Sequence, residues 1–151
     1  MKHVHIECLP DEILIKKLGF TRKYVTHHQG KSRVFAVLRE KENELAVVDE
    51  DPLSVKTNYE NHLKPNEEYE GLKLFTDSSG NKVIYLSAKL ENWIIDVCRK
   101  EKIKLSDFGL PEKPDELHDQ INNRLHAFEK LVDKLIKQGS PPLLKLKNWL
   151  K

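Results

Sequence analysis

The apolar positions of the first fifty residues switch repeatedly between two periods. Residues 3–8, HVHIEC, alternate and predict a short strand. LPDEILIKKLG follows and predicts a helix: Pro10 suits its first turn, Asp11 and Glu12 favour the positive end of the helix dipole, and Gly19 fits just past its C-terminus. KYVTHH, 23–28, predicts a second strand. Gly30 then turns the chain into KSRVFAVLREKEN, where Val34, Phe35, Val37 and Leu38 make one apolar helical face. ELAVV, 44–48, is almost continuously apolar, as a central parallel strand covered on both faces must be. This β-α-β-α-β alternation predicts a layered α/β sheet.

Beyond it, residues 52–70 are polar and predict a long loop, with room for one helical turn. LKLFT and KVIYLS flank DSSGN and predict a β-hairpin, whose antiparallel strand belongs near a sheet edge. KLENWIIDVCRKEKI predicts a helix with Leu90, Trp93, Ile94, Val97 and Cys98 on one side. SDFGLPEKP is a linker of turn residues. Residues 115–139 predict the longest helix, with Leu117, Ile121, Leu125, Phe128, Val132 and Leu135 stepping by three or four until Gly139 ends it. SPPLLKLKNWLK makes a short amphipathic terminal segment. The expected architecture is a Rossmann-like, mostly parallel sheet with one antiparallel hairpin strand and helices on both faces. Residues 1–105 form that α/β domain, and residues 106–151 form a helical extension packed on it.

Composition narrows the class. At 151 residues the chain has the length of one ordinary domain, able to bury a sizeable core. Its 26 Lys and Arg against 24 Asp and Glu leave a net charge of +2, so phosphate contacts would need a local basic patch. Cys8 and Cys98 suggest no disulfide framework, which fits a reducing compartment. The N-terminal MKHVHIEC lacks the apolar segment of a signal peptide, and no apolar run approaches the roughly 20 residues of a bilayer span. The expected location is cytoplasmic, without a membrane partner.

The candidate chemistry lies where strands end. LAVVDEDPLS, 45–54, closes an apolar strand with Asp49, Glu50 and Asp51, and Pro52 stops it. In an open parallel sheet, functional groups gather at the C-terminal strand edges. If the first and third strands are neighbours, Glu7 and the two aspartates point at one spot, and Glu91 opens the helix after the last strand. Alternation puts Asp49 and Asp51 on one face and Glu50 on the other. Such oxygen ligands suit Mg²⁺, and two such ions could activate water and stabilise a phosphate leaving group. Solvated loop acids are the equal competing reading.

These segments also resemble a family. IECLPDEILIKKLG, VVDEDP and LSAKLENWI, in that order with Gly30 between the first two, look like the Toprim (topoisomerase–primase) fold over about residues 4–98. The similarity is closest to small Toprim-like nucleases akin to the catalytic domain of the overcoming-lysogenization-defect nucleases, which implies a nuclease, in the setting of bacterial phage defence. The resemblance implies Mg²⁺ or Mn²⁺ ligation by Glu7, Asp49 and Asp51, with Asp11 and Glu91 supporting. It implies nucleic acid, DNA or RNA, as substrate, and a separately encoded ATPase as companion. Lys31 would contact phosphate or stabilise developing charge. Topoisomerases and primases carry glycine where this chain has Cys8, and a third aspartate where it has Leu53; both departures favour the nuclease branch.

Other constellations compete. HHQGKSR contains Gly-Lys-Ser, but a phosphate-binding P-loop needs glycine where Val25 stands; a helix start is the better reading, with Lys31 or Arg33 touching phosphate as the alternative. His3, His5 and Glu7 share a strand face with His27 and His28 nearby, a conceivable zinc set. Cys8 could be a nucleophile, although a packed thiol is commoner. Lys145, Lys147 and Lys151 could touch membrane or nucleic acid, but a helix docked by its apolar side is favoured. Two further functions remain open. One is a receiver-like phosphoacceptor domain using Asp49 and Ser87; the other is a non-catalytic Toprim partner module.

Overall fold

The computed structural model describes residues 2–151. It is an α/β structure around one six-stranded mixed sheet. The strands are β1 (Val4–Ile6), β2 (Val25–His27), β3 (Leu45–Asp49), β4 (Lys64–Tyr69), β5 (Leu72–Thr76) and β6 (Lys82–Leu86), in the spatial order β2-β1-β3-β6-β5-β4. β2, β1, β3 and β6 are parallel, and β5 runs against both neighbours. β1 and β3 are indeed adjacent, with Val4 opposite Leu45 and Ile6 opposite Val47.

Alternation along the central strands feeds two cores. Val4, Ile6, Leu45, Val47, Ile84 and Leu86 face one side. There they meet α1 (Leu9–Lys17), α4 (Leu90–Lys100), α6 (Leu125–Lys137) and α7 (Pro141–Trp149). Ala46, Val48, Val83 and Tyr85 face the other side, under α2 (Lys31–Arg39) and the single-turn α3 (Asn58–Asn61). The helices after residue 105 share the first core: Leu105, Leu117, Phe128, Leu135 and Leu146 are buried in the same cluster as the sheet.

Three expectations change. Residues 52–70 hold the expected helical turn, but also a strand, β4, so β5 is not at the edge. β4 and β5 are joined through Glu70 and Gly71, both at positive φ (39° and 87°), the backbone a tight hairpin turn requires. A side chain at Gly71 would also meet the Trp93 ring. The expected longest helix is two helices, α5 (Pro114–Gln120) and α6, separated by a 3₁₀ turn over Ile121–Asn123. Asn122 and Asn123 are poor interior helix residues because their amides compete for backbone hydrogen bonds. Finally, β1 ends at Ile6 and β3 at Asp49, so Glu7 and Asp51 lie just past their strands. Asp51 has φ +46°, so strand alternation does not govern it.

Candidate functional site

Topology brings the C-terminal ends of β1 and β3 together with the starts of α1, α2 and α4. A cavity of about 440 Å³ opens there, and its lining includes Glu7, Lys31, Asp49, Asp51, Glu60, Lys89 and His118. A larger groove of about 700 Å³ lies elsewhere, between Leu18–Phe20 and the C-terminal residues; lysines and apolar groups line it, and it offers no carboxylate side chain, thiol or hydroxyl for chemistry.

Two backbone bonds aim the carboxylates. The Asp49 N–H donates to Glu7 Oε1 at 2.6 Å, and the Leu90 N–H, in the first turn of α4, donates to Asp49 Oδ1 at 2.8 Å. Asp11 lies beneath. It belongs to the first turn of α1, which Cys8 caps without any side-chain bond, and it is fully buried. Neither of its oxygens has a partner with hydrogen-bond geometry; the adjacent Cys8 thiol, a weak donor, is the group that favours its charged form, and burial and Asp49 outweigh it. Glu91, in the first turn of α4, is also buried and accepts from His118 Nδ1 at 2.9 Å.

So many buried acids resist ionisation together. Burial, then the charge of Asp49, with Glu7 and Glu91 adding, drive the Asp11 pKa well above the ordinary carboxylate value. Burial and the charges of Glu7 and Glu91 push Asp49 up to about 7, against the opposing Leu90 bond and Lys31. Glu7 is raised by burial, with the Asp49 N–H and Lys31 working the other way. A group of like charges withdrawn from water is held only if protons or a cation compensate it.

Lys31 and Lys89 are the cationic side chains of the cavity lining, and Lys31 is the one fixed by several partners. Its ammonium donates to the Glu50 carbonyl at 3.0 Å, lies 3.7 Å from Glu60 Oε2 and stands 5.5 Å from the Tyr85 ring centre. Glu60 is held by a capping box with Thr57 and by the Tyr85 hydroxyl at 2.7 Å. Burial opposes its ionisation, but the Thr57 and Tyr85 bonds and Lys31 outweigh that and hold it ionised.

Thus Glu7, Lys31, Asp49 and Asp51 share one cavity, with Asp11 and Glu91 packed in electrostatic contact with Asp49. Glu50 points elsewhere, as expected: it pairs with Lys73 and accepts from the Ser87 hydroxyl at 2.7 Å. Ser87 is therefore occupied by Glu50 and does not line the cavity beside Asp49. The strand-face set His3, His5 and Glu7 does not converge. His5 is held between His28 (2.9 Å) and Glu44 (2.6 Å), His3 bonds Thr26, and His27 faces the Glu7 carbonyl. Burial and Asp11 push the Cys8 thiol far up, which removes it as a nucleophile. Lys145 pairs with Glu67 at 2.5 Å, and α7 buries Leu143, Leu146 and Trp149. Among the described residues no helix is long and apolar enough to cross a membrane.

Sequence reasoning missed Glu60, Lys89 and His118. Glu60 carried a signal, the Thr57-x-x-Glu60 capping box. His118 carried none, because it arrives from a helix 27 residues after Glu91.

No protein-family model matches the chain, no curated protein is significantly similar to it, and no solved structure matches it. The functional reading therefore rests on these residues.

The donors are hard oxygens, the type Mg²⁺ and Mn²⁺ prefer, and the unpartnered carboxylate of Asp11 is the feature a cation would satisfy. Among the described residues no three ligand-type side chains are already grouped around one point. The donor set fits the ion in chemistry.

Proposed function

We propose that this chain is a metal-dependent phosphodiesterase acting on nucleic acid, a Toprim-like nuclease. The observation that carries the reading is Asp11: a fully buried, unpartnered carboxyl set against Asp49, Glu7 and Glu91 below a cavity that also presents Lys31. A structural role would call for a hydrogen-bonded acid at that position, or an apolar residue.

In this reading Glu7, Asp49 and Asp51 hold Mg²⁺ or Mn²⁺, with Asp11 and Glu91 supporting from below. The ion, when bound, supplies Lewis acidity and a more acidic water. Asp49, raised to about 7, must give up its proton to ligate the ion, so affinity rises with pH. Lys31, fixed by the Glu50 carbonyl and Glu60, offers its ammonium to a non-bridging phosphate oxygen. The backbone bonds from Asp49 and Leu90 keep Glu7 and Asp49 in place while the substrate enters.

The test is cleavage of single- and double-stranded DNA and RNA with Mg²⁺ or Mn²⁺, comparing wild type with Glu7→Gln and Asp49→Asn. Metal-dependent cleavage lost in both variants is the expected outcome. Cleavage that survives both removes the assignment. A folded wild type that binds no Mg²⁺ by calorimetry leaves a non-catalytic module, one that would work beside a separately encoded ATPase.

A further inference from the structure

One short loop carries both a candidate ligand and the most exposed aliphatic side chains of the described residues. Leu53 is 97% exposed and Val55 94%, whereas the other large exposed apolar residues, Leu9 and Leu144, keep roughly half their surface covered. Isolated half-exposed aliphatics are ordinary on a protein surface; two nearly bare ones, separated by a single residue, are not.

The loop is fastened at both ends. On one side the Asp51 N–H donates to the Ala88 carbonyl at 2.7 Å, and the Ser54 N–H and hydroxyl both donate to the Asp51 carbonyl at 3.0 and 2.8 Å. On the other side Thr57 forms the capping box with Glu60, whose carboxylate is bonded to Tyr85. Leu53 and Val55 are therefore presented to solvent by a tied turn. Val55 and Asp51 line the same cavity as Lys31 and Lys89.

With a divalent ion compensating the carboxylates, a ligand that uses this whole surface presents an anionic group to the ion, Lys31 and Lys89 and, a few bonds away, a flat apolar face to the rim. A nucleotide has that composition. Within a duplex, base faces are stacked on one another and closed to side chains; unpaired bases expose them. Resting on the phosphodiesterase reading, we infer that Leu53 and Val55 form a base-contacting rim that selects unpaired nucleic acid, single strands or frayed ends, over intact duplex.

The experiment measures binding by fluorescence anisotropy with Ca²⁺ present. The probes are labelled DNA and RNA strands of about 12 nucleotides without self-complementarity, a hairpin whose stem carries that sequence paired with its complement, and an abasic strand with the same number of phosphates. Wild type is compared with the Leu53→Ser/Val55→Ser double variant; both positions are solvent-exposed, so the fold is kept. The expected result is tighter binding of wild type to unpaired strands than to the hairpin, a loss of about tenfold on unpaired strands in the double variant, and equally weak binding of both proteins to the abasic strand. Equal affinity of the two proteins for the unpaired strand, or equal affinity of wild type for strand and hairpin, overturns the inference. Wild-type turnover of bis(p-nitrophenyl) phosphate with Mn²⁺, a diester without bases, tests the chemistry separately. Turnover combined with equal strand binding removes the rim and keeps the phosphodiesterase. Absence of turnover combined with base-dependent binding keeps the rim and removes the phosphodiesterase.

Discussion

His118 Nδ1 stands 2.9 Å from Glu91 Oε1, and this bond ties the C-terminal helices to the buried carboxylates at the end of the sheet. His118 is largely exposed while Glu91 is buried, so the bond adds little to stability but fixes how the Glu91 carboxylate is turned. Partners of this kind orient ligating carboxylates, and their loss typically weakens metal binding about 10–100-fold. His118→Ala is expected to weaken Mn²⁺ binding, measured by calorimetry, by at least about tenfold. His118→Asn, whose amide can occupy the Nδ1 position, is expected to restore most of it. Equal affinity in wild type and His118→Ala would show that the bond plays no part in orienting a ligand.

The raised acids make the metal-free protein pH-sensitive in a definite direction. A carboxyl whose folded pKa lies above its unfolded value binds more protons when folded, so stability falls as pH rises between the two values. For Asp49 that window runs from 3.8 to about 7; for Asp11 it opens at 3.8 and extends upward. Without divalent metal, wild type is expected to lose stability relative to both Asp49→Asn and Asp11→Asn as pH rises from 4 to 7. At pH 8, Asp11→Asn should have lost less of its pH 4 stability than wild type, because its side chain has no proton to give up. Saturating Mn²⁺ should stabilise wild type more than Asp11→Asn, and Asp11→Asn more than Asp49→Asn, which lacks a ligand. Thermal melts at several pH values, with chelator and with Mn²⁺, check both signs. Parallel melting curves across pH would mean that these acids are not paying for their burial.

How much of this was legible in the sequence depends on where each signal is carried. The parallel half of the sheet was legible because Val4, Ile6, Leu45 and Val47 are buried and their period is local. β4 was not: Lys64–Tyr69 is almost wholly exposed at the edge, so no apolar face marks it, and its pairing with β5 is what makes it a strand. Glu7, Asp49 and Asp51 could be found because strand ends announce a sheet edge. Alternation gave the right partition, with Glu50 left out, for an incomplete reason. Glu50 is drawn away by Lys73 and Ser87, and Asp51 enters the cavity through its left-handed backbone rather than through the pleat. His118 and Lys89 depend on how the helices close over the site, which no local period encodes.

Asn81 illustrates a residue read only as a turn former that the fold uses as an anchor. It is fully buried at the end of the DSSGN turn. Its amide nitrogen lies 3.0 Å from the Leu38 and Lys41 carbonyls and 2.8 Å from Asp77, and its oxygen accepts from the Glu44 N–H at 2.9 Å. The hairpin turn is thereby bound to the end of α2 and the start of β3. Asn81→Ala leaves several buried polar groups without partners, and is expected to cost about 2–4 kcal/mol in urea unfolding. A change below about 0.5 kcal/mol would place those groups in contact with water instead.

Lys31 joins the stability and function of the site, and its removal separates them. Its charge favours the ionised forms of Glu7 and Asp49, and its ammonium is already held by the Glu50 carbonyl and Glu60 rather than free in solvent. Lys31→Met takes the cation away while keeping most of the side-chain volume. The carboxylates then hold their protons more tightly, so the pH midpoint for Mn²⁺ binding should move upward. Turnover should fall by about 10²–10³ even at a pH where metal is fully bound, if the ammonium stabilises charge on the phosphate. Lys31→Arg should keep the binding midpoint, since the charge remains, yet recover only part of the turnover, since the guanidinium fork does not fit the space of a single ammonium. A midpoint unchanged in Lys31→Met would show that the carboxylates do not feel Lys31; a shifted midpoint with unchanged turnover would confine Lys31 to tuning the acids and leave phosphate contact to Lys89.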